Sequence, residues 1–328
     1  MGLMAKGDFI IEFWDVGQGD CTIVHLPDGQ LILVDVGPIG SPVVDWLSKH
    51  RNKKIHSIIL SHNDSDHIGA LTPLLRCCQH RVESVFLLDD RNTRNESYFN
   101  LFRGLKEAEQ RGEIGRILRL EAPMQIWPDG NTAPGDLALK IKIEVLHPTL
   151  AENVLARTPN ETSAIILLSP PASFPVLLAS DASVSTVAAT VAGRSPSYML
   201  GPHHGGPIDR RQKQFQANLQ SINPQCIVAS VGTNNRYNHP CANYIKHARC
   251  VGASFICTQL TINCEKRSRL RHVFNGAAFL GLPQSRKGYS CRGTVRLRYN
   301  GREFGQDTHA DAAHASEIHK LSRPLCLK

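Results

Sequence analysis

Ser61-His62-Asn63-Asp64-Ser65-Asp66-His67-Ile68-Gly69 follows directly on residues 55–60, a mainly apolar run of the kind that forms a buried strand. Four ligand-type side chains fall within six residues: His62, Asp64, Asp66 and His67. Polar groups at the end of an apolar strand are unfavourable unless metals or hydrogen bonds satisfy them, and imidazole with carboxylate suits Zn²⁺ or Mn²⁺. The stretch therefore predicts a metal-binding loop. The alternative interpretation is a polar turn that caps a helix.

The rest of the chain alternates between strand-like and helix-like runs. The predicted strands include residues 9–13, 22–26, 31–34, 55–60, 82–88, 140–146, 165–168, 176–179, 226–230 and 254–258. Helices are predicted at residues 43–49, 96–111 and 242–249. Because strands followed by helices recur in both halves, we expect two packed sheets with helices outside. We expect one domain over residues 1–300 and a polar tail over residues 301–328.

The loop resembles the His-x-His-x-Asp-His signature of the metallo-β-lactamase superfamily, with Asp64 in place of the second histidine. The form His-x-Asp-x-Asp-His is similar to the metallo-β-lactamase domain of the ComEC competence family. Asp15-Val16-Gly17-Gln18-Gly19-Asp20 matches the other hallmark of that family. The resemblance covers residues 9–300 and is closest to a stand-alone form of the domain. It implies an α/β fold, the four-layered αβ/βα metallo-β-lactamase sandwich.

The resemblance also implies further ligands after later strands. His147 ends an apolar run where the superfamily commonly has its third histidine, although a strand-end histidine is also common as a purely structural residue. Asp181 closes a Leu-Leu-x-Ser-Asp element, in which Ser180 replaces the usual glycine and the aspartate bridges two metals. The predicted metal ligands are His62, Asp64, Asp66, His67, His147, Asp181, His203 and His204.

Three downstream histidines compete for two roles, metal ligation and contact with the reacting group. His203 and His204 lie in a His-His-Gly element, and His239 lies in Tyr-Asn-His-Pro. The predicted catalytic residues are Asp66, His204 and His239. Residues predicted to support the ligands by hydrogen bonds are Asp35, which lies in an Asp-x-Gly element, Asp15 and Asp20.

The chain is basic, with 37 Lys and Arg against 29 Asp and Glu and a formal net charge of +8. A polyanion is attracted to such a protein at neutral pH. Arg210, Arg211 and Lys213 follow the His-His element, and a second basic run spans residues 266–271. Each run is either a solvated face or a contact for substrate phosphates.

These observations predict a metal-dependent hydrolase, a phosphodiesterase or nuclease that acts on nucleic acid or nucleotides. Two divalent ions, zinc rather than manganese, are expected to activate the attacking water. One alternative is a hydrolase of a small ester, thioester or lactam, because a fold does not determine a substrate. A second alternative is a non-catalytic subunit of a multi-gene system such as phage defence, with partner proteins from the same operon.

The ten cysteines are scattered and form no Cys-x-x-Cys pair. We expect buried, reduced thiols; the alternative is a structural zinc held by Cys250, Cys257, Cys264 and Cys291. The N-terminus lacks the apolar core of a signal peptide, and no stretch approaches the roughly 20 apolar residues of a membrane span. A cytoplasmic protein without membrane contact is therefore expected.

Overall fold

The computed structural model describes residues 8–78, 81–88, 96–129, 141–171, 173–207, 212–266, 269–270, 285, 287–306, 311–322 and 324–327. Within these residues the strands form two sheets, of eight and seven strands. The eight-stranded sheet has the order β15-β14-β1-β2-β3-β4-β5-β6. Its strands are β1 (Ile10–Phe13), β2 (Thr22–His25), β3 (Leu31–Val34), β4 (Ile55–Ile59), β5 (Val82–Leu87), β6 (Ile114–Arg119), β14 (Val295–Tyr299) and β15 (Phe304–Gln306).

The seven-stranded sheet has the order β13-β12-β11-β10-β9-β8-β7. Its strands are β7 (Met124–Trp127), β8 (Lys142–His147), β9 (Ile165–Ser169), β10 (Val176–Leu178), β11 (Tyr198–Leu200), β12 (Cys226–Ala229) and β13 (Ser254–Cys257). Each sheet is antiparallel at one end and parallel at the other. The parallel pairs run from β3 to β6 in the first sheet and from β10 to β13 in the second.

Helices cover the outer face of each sheet in the described part of the chain. They are α1 (Pro42–Lys49), α2 (Ser65–Ile68), α3 (Leu71–Cys78), α4 (Glu96–Gln110), α5 (Leu150–Leu155), α6 (Val184–Thr190), α7 (Gln212–Ile222), α8 (Ala242–Cys250) and α9 (Asp311–Ile318). Apolar residues of α1, α3 and α4 pack on the first sheet, and those of α6, α7 and α8 pack on the second. A third apolar cluster lies between the sheets and includes Ile11, Val34, Val145 and Leu178.

This arrangement of helix, sheet, sheet and helix confirms the predicted four-layered α/β sandwich. Burial on both faces explains why a parallel strand such as β4 is buried along its whole length and is easily read from the sequence. Each of the ten predicted strand runs overlaps an observed strand. Five observed strands lie outside these runs: β6, β7, β11, β14 and β15. Edge strand β6 is largely exposed, and β7 and β11 are only four and three residues long, so their apolar patterns are weak.

The predicted division after residue 300 stays a prediction. In the structure, β15 pairs with β14 inside the first sheet. Ile318 of α9 is buried, and Leu325 packs against the same apolar cluster that α6, α7 and α8 cover. Among the described residues, no helix combines the length and apolarity needed to cross a bilayer.

The loops that carry chemistry follow the carboxyl ends of strands in both sheets. Strands β3, β4, β8, β10, β11 and β12 point their carboxyl ends to one edge of the sandwich, where the two sheets are tied together. Ala164 donates its backbone N–H to the carbonyl of Ser61 at 2.9 Å, and Ser230 Oγ donates to the carbonyl of Gly19 at 2.6 Å. This edge therefore gathers side chains that are far apart in the sequence.

Glu12 is a buried carboxylate that joins three strands of the first sheet. Its side chain is 1% exposed and accepts hydrogen bonds from Trp14 Nε1 at 2.9 Å and from Arg296 Nη2 at 2.6 Å. His25 Nε2 lies 3.1 Å from Glu12 Oε2. Burial alone raises the pKa of Glu12, but His25 and Arg296 outweigh it and lower this pKa to about 2.

We predict that Glu12→Gln lowers the free energy of unfolding by about 2–4 kcal/mol at pH 7, because it leaves the buried Arg296 without its anion. Chemical denaturation measures the change. Glu83→Gln, at an exposed position of β5, is the matched control and should change stability by less than about 0.5 kcal/mol. Equal effects of the two substitutions would contradict a structural role for the Glu12 charge.

Candidate metal centre

Asp181 stands at the centre of the ligand-type side chains. His67 Nε2 and His204 Nε2 each lie 3.3 Å from Asp181 Oδ1. On the other carboxylate oxygen, His62 Nε2 lies 3.7 Å and His203 Nε2 lies 3.6 Å from Oδ2. One carboxylate thus faces four imidazoles that come from loops of both sheets.

The ligand atoms fall into two neighbouring groups. His62, His67 and Asp181 bring one ligand atom each to within 4.8 Å of one another, and so do Asp66, His67 and His204. His204 Nε2 lies 3.6 Å from Asp66 Oδ2, and His62 Nε2 lies 3.6 Å from Asp64 Oδ2. Asp181 contacts members of both groups, which is the arrangement expected of a carboxylate between two cations.

Several of these atoms are buried and have no hydrogen-bond partner in the part of the chain that the structure describes. They are Nε2 of His62, His67 and His204, and Oδ1 of Asp181. Buried polar atoms are nearly always satisfied by hydrogen bonds or ions, so four unsatisfied atoms that converge indicate a missing partner. The partner must attract imidazole nitrogens and carboxylate oxygens together, and a divalent cation such as Zn²⁺ fits that donor set.

Asp35 positions the two histidines of the loop. Its Oδ2 accepts hydrogen bonds from His67 Nδ1 at 2.7 Å and from Ser61 Oγ at 2.6 Å, and its Oδ1 accepts from the Ser61 backbone N–H at 2.8 Å. Ser61 Oγ lies 3.0 Å from His62 Nδ1. When Nδ1 carries the proton, Nε2 keeps its lone pair for a metal, so this network selects the ligating tautomer of both rings.

Asp20 and Ser180 complete the support. His204 Nδ1 lies 3.2 Å from Asp20 Oδ1, so a buried carboxylate also contacts the imidazole of His204 at Nδ1, whereas Nε2 is the atom near Asp181. Ser180 has a positive φ of 45°, which explains why a glycine is usual at this position of the superfamily element. Its hydroxyl lies 2.6 Å from Ser61 Oγ and so extends the network behind His62. Supporting roles for Ser61 and Ser180 were not foreseen, although Ser61 begins the quoted loop.

Gly19 allows the Asp15–Asp20 loop to approach the metal-binding loop. A side chain at Gly19 would place its Cβ 2.1 Å from the carbonyl oxygen of Asp66, and the glycine has a φ of +130°. The Asp20 backbone N–H donates to the same oxygen at 3.3 Å. Close backbone contact therefore requires the second glycine of Asp-Val-Gly-Gln-Gly-Asp.

The carboxylates and imidazoles perturb one another strongly. Burial alone lowers the pKa of His204, but Asp181 and Asp20 outweigh it and raise this pKa to about 10. Burial alone raises the pKa of Asp66, but His204 and His67 lower it to about 2. These two shifts favour a protonated His204 beside an ionised Asp66, so a cation that binds at His204 must displace that proton.

The remaining predicted residues lie at the margin. Asp64 has 43% of its side chain exposed and His203 has 42%. His147 Nε2 lies 3.8 Å from Glu152 Oε2, and its Nδ1 lies 3.0 Å from the Ser163 carbonyl. The described clusters of ligand atoms do not include His147. Its predicted ligation stays a prediction.

His239 is buried beside the cluster without joining it. Its ring centroid lies 5.3 Å from that of His203 and 6.2 Å from that of His204. Burial and the neighbouring histidines lower the pKa of His239 to about 4. The ring is therefore neutral at pH 7. Tyr237 stacks on it with centroids 5.5 Å apart and is half exposed.

Two predicted phosphate contacts, Arg210 and Arg211, lie outside the described residues. Lys213 is exposed on α7, and Lys266 and Arg269 of the second basic run are also exposed. Among the described cysteines, burial raises the pKa of Cys257, Cys264 and Cys291, whereas Cys250 is exposed. The described groups of candidate ligand atoms contain no cysteine.

Asp15 makes no described contact with the ligand cluster. Its carboxylate accepts hydrogen bonds from Gln259 Nε2 at 2.7 Å and from Ser290 Oγ at 3.0 Å, which join the first loop to distant parts of the chain. Burial raises the pKa of Asp15 from 3.8 to about 6, despite these hydrogen bonds.

Asp15 should therefore make the folded state less stable as pH rises. Between the unfolded pKa of 3.8 and the folded pKa of about 6, the folded protein holds a proton that the unfolded chain has lost. Compared with Asp15→Asn, the wild type should lose about 1–3 kcal/mol of unfolding free energy between pH 4.5 and pH 7.5. Urea denaturation at several pH values tests this, with exposed Asp28→Asn as the control. Parallel pH curves for wild type and Asp15→Asn would show that burial does not perturb this carboxyl.

Comparison with known proteins gives one family match and several structural similarities. The profile of the metallo-beta-lactamase superfamily matches residues 14–126. Similar solved structures include Igni18, a novel metallo hydrolase from the hyperthermophilic archaeon Ignicoccus hospitalis KIN4/I, at 15% identity and a TM-score of 0.45, covering 89% of this chain and 100% of that chain. A long form RNase Z from yeast is 11% identical with a TM-score of 0.44, covering 78% of this chain and 42% of that chain.

The isothiocyanate hydrolase from Delia radicum gut bacteria is 12% identical with a TM-score of 0.44, covering 75% of this chain and 95% of that chain. No curated protein matches the sequence. The matched residues 14–126 include Asp35 and the whole loop from Ser61 to Gly69. The match ends at residue 126, so most of the second sheet lies outside it.

Proposed function

We propose that this protein is a metal-dependent phosphodiesterase that hydrolyses nucleic acid or nucleotides. The observation that carries the proposal is Asp181, a buried carboxylate whose two oxygens face separate groups of imidazoles with unsatisfied Nε2 atoms. A scaffold that only binds a partner does not need such a set, because buried unsatisfied atoms destabilise a fold that gains nothing from them.

The chain's own residues divide into two ligand sets. His62, Asp64 and Asp181 would hold one divalent ion, with His147 as the further predicted ligand. The second ion would be held by Asp66, His67, His204 and Asp181. The carboxylate and imidazole donors favour zinc over manganese. Such a pair of ions lowers the pKa of water for attack and offsets negative charge on a phosphoryl group.

The protein's own residues supply orientation. Asp35 and Asp20 hold the imidazoles, so the ligand geometry exists before the cation arrives. His239 is neutral at pH 7 because of its lowered pKa of about 4. It can therefore accept a proton or a hydrogen bond from the reacting group. A histidine that acts as a general acid must be charged in the resting state, so this role does not suit His239. We propose that His203, half-exposed beside Asp181, contacts a substrate oxygen.

Charge favours a polyanionic substrate over a small neutral ester. The formal net charge is +8, and Lys213 is exposed on the helix that follows the His-His loop. Arg210 and Arg211 precede it in the sequence. We propose that these side chains hold backbone phosphates without reading bases. A cytoplasmic location and partner proteins from the same operon belong to this proposal as well.

We predict that Asp181→Ala removes one metal ion or both, since it deletes the ligand that the two sets share. Elemental analysis of the purified protein measures the metal content per chain. The matched control is Asp28→Ala, in an exposed turn, which should retain the wild-type content. Full metal content in the Asp181→Ala protein would contradict the assignment of a bridging role.

The metal-loaded protein should hydrolyse bis(p-nitrophenyl) phosphate and cleave DNA or RNA. Asp66→Ala and His67→Ala should abolish turnover but leave salt-sensitive binding of the polymer largely intact, because the attracting charge lies elsewhere.

Lys213→Ala should reduce the slope of log affinity against log salt by about one, similarly for all sequences. Lys106→Ala, on the outer helix α4, should leave the slope unchanged.

The outcomes separate the candidate functions. A protein that binds metal but neither binds nor cuts nucleic acid, nor hydrolyses the phosphodiester, is not a phosphodiesterase. Turnover of a p-nitrophenyl carboxylic ester, a thioester or nitrocefin in that case would favour the small-substrate alternative. A protein with metal and no turnover on any of these would favour the non-catalytic subunit.

A further inference from the structure

A cavity of about 510 Å³ adjoins the metal-binding cluster on one side. Asp181 and His203 line it, so it is continuous with the candidate metal centre. Its other walls come from α6, α7 and the short turn Pro159–Thr162. Cavities of roughly 300–1,000 Å³ are of the size that holds a small molecule. The volume therefore suits one bulky group of a substrate whose reacting part lies at Asp181.

The walls offer hydrogen bonds from uncharged groups. Ser183 Oγ lies 2.8 Å from Ser185 Oγ and 2.9 Å from Thr186 Oγ1, which makes a cluster of three hydroxyls at the start of α6. On α7, Gln214 Nε2 donates to Asn218 Oδ1 at 2.9 Å. All five side chains line the cavity. Hydroxyls and amides both donate and accept, so they suit an occupant with hydroxyl groups and polar ring edges.

The cavity also contacts two aromatic rings. Phe215 and Tyr244 line it with their ring centroids 5.2 Å apart. Tyr244 is 1% exposed, and its hydroxyl has no hydrogen-bond partner among the described residues. A buried hydroxyl without a partner is unfavourable. The Tyr244 hydroxyl therefore has no partner among the described residues that would compete with a ligand group that reaches it.

Charge limits what the cavity accepts. The described residues that line it include no lysine or arginine, and its two carboxylates are Asp181 and Glu161. Among the described lining residues a phosphate inside would meet only negative charge, except at Asp181, where the metal centre would offset it. The interior therefore favours an uncharged polar group attached to a phosphate that stays at the mouth.

We propose that this cavity receives the nucleoside bonded to the phosphate that is cleaved. The inference rests on the proposed phosphodiesterase function and adds the group recognised beside the scissile bond. A nucleoside is uncharged, carries sugar hydroxyls for the Ser183 cluster and presents base edges to Gln214 and Asn218. Its phosphate is then directed toward Asp181 and His203.

Three p-nitrophenyl phosphate diesters that differ only in the second esterified group test the inference. Thymidine p-nitrophenyl phosphate, as its 3′ or 5′ ester, and methyl p-nitrophenyl phosphate both react with water to give p-nitrophenol and the corresponding monoester. The metal-loaded enzyme should hydrolyse at least one thymidine ester with a kcat/KM about tenfold or more above that of the methyl ester. Equal values for all the esters would overturn the inference while leaving the phosphodiesterase function intact.

Substitutions localise the effect. Asn218→Ala and Gln214→Ala should each reduce the ratio of kcat/KM for the thymidine ester to that for the methyl ester about fivefold, chiefly through a higher KM for the thymidine ester. Gln220→Ala, on the exposed face of the same helix and outside the cavity, should keep the full preference. Tyr244→Phe removes only the hydroxyl and should raise the KM for the thymidine ester. Variants that all retain the wild-type preference would place the nucleoside elsewhere and overturn the inference.

Binding gives a readout that does not depend on turnover. Thymidine lacks phosphate, so its binding to the metal-loaded protein, measured by calorimetry, should be weakened by Asn218→Ala and not by Gln220→Ala. If no diester is hydrolysed, the phosphodiesterase proposal fails. Thymidine binding then tests separately whether the cavity receives a nucleoside. Absence of thymidine binding in that case overturns this inference too, whereas binding that depends on Asn218 supports it.

Discussion

The carboxylate of Asp35 is the constraint on which the metal-binding loop depends. The carboxylate is buried and accepts one hydrogen bond from His67 and two from Ser61, and the backbone of Asp35 has a positive φ of 55°. The Ser61 hydroxyl also contacts His62 and so links that ring to Asp35. The two backbone N–H groups after Asp35, those of Val36 and Gly37, donate to the carbonyl of His67 at 2.8 and 3.1 Å. The loop is thus held from both its side chains and its backbone by the end of one neighbouring strand. Two imidazoles are oriented before any cation is present, which reduces the reorganisation that binding requires.

The second sheet completes the cluster at the expense of backbone strain. Ser180, His203 and His204 all have positive φ, a conformation that costs a side-chain-bearing residue of order 1 kcal/mol or more. Such strain persists only when surrounding contacts determine the conformation. Here the Ser180 hydroxyl bonds across to Ser61, and the His203 backbone N–H donates to the Ser180 carbonyl at 2.8 Å. The strained residues are those that direct Asp181 and the paired histidines toward the first sheet.

What could be predicted from the sequence was local. The metal-binding loop with His62 and His67 could be predicted because four ligand-type side chains follow one apolar run. Strand β4 could be predicted because both its faces are buried, so its sequence is mainly apolar. Long-range pairings could not be predicted: nothing near Asp20 in the sequence indicates that it lies 3.2 Å from His204. The role of Asp15 as a support for the ligands stays a prediction; its hydrogen bonds to Gln259 and Ser290 join it to residues far along the chain, which the sequence does not indicate. The cavity was not foreseen for the same reason, since its walls come from helices that only tertiary packing brings together.

Charged and uncharged recognition occupy different parts of the site, and this separation follows from electrostatics. At the cluster, carboxylates and imidazoles surround Asp181, so only a cation or a group bound to one is stabilised there. The adjoining cavity has hydroxyls and amides, which distinguish ligands by hydrogen-bond geometry. Without a cation, these groups would not bind an anion more favourably than water does. A substrate that carries one phosphate next to one uncharged polar ring system satisfies both parts at once. Lys213 lies outside the cavity lining, and in the proposed function it contacts the more distant phosphates of a polymer and affects its affinity more than the position of the scissile bond.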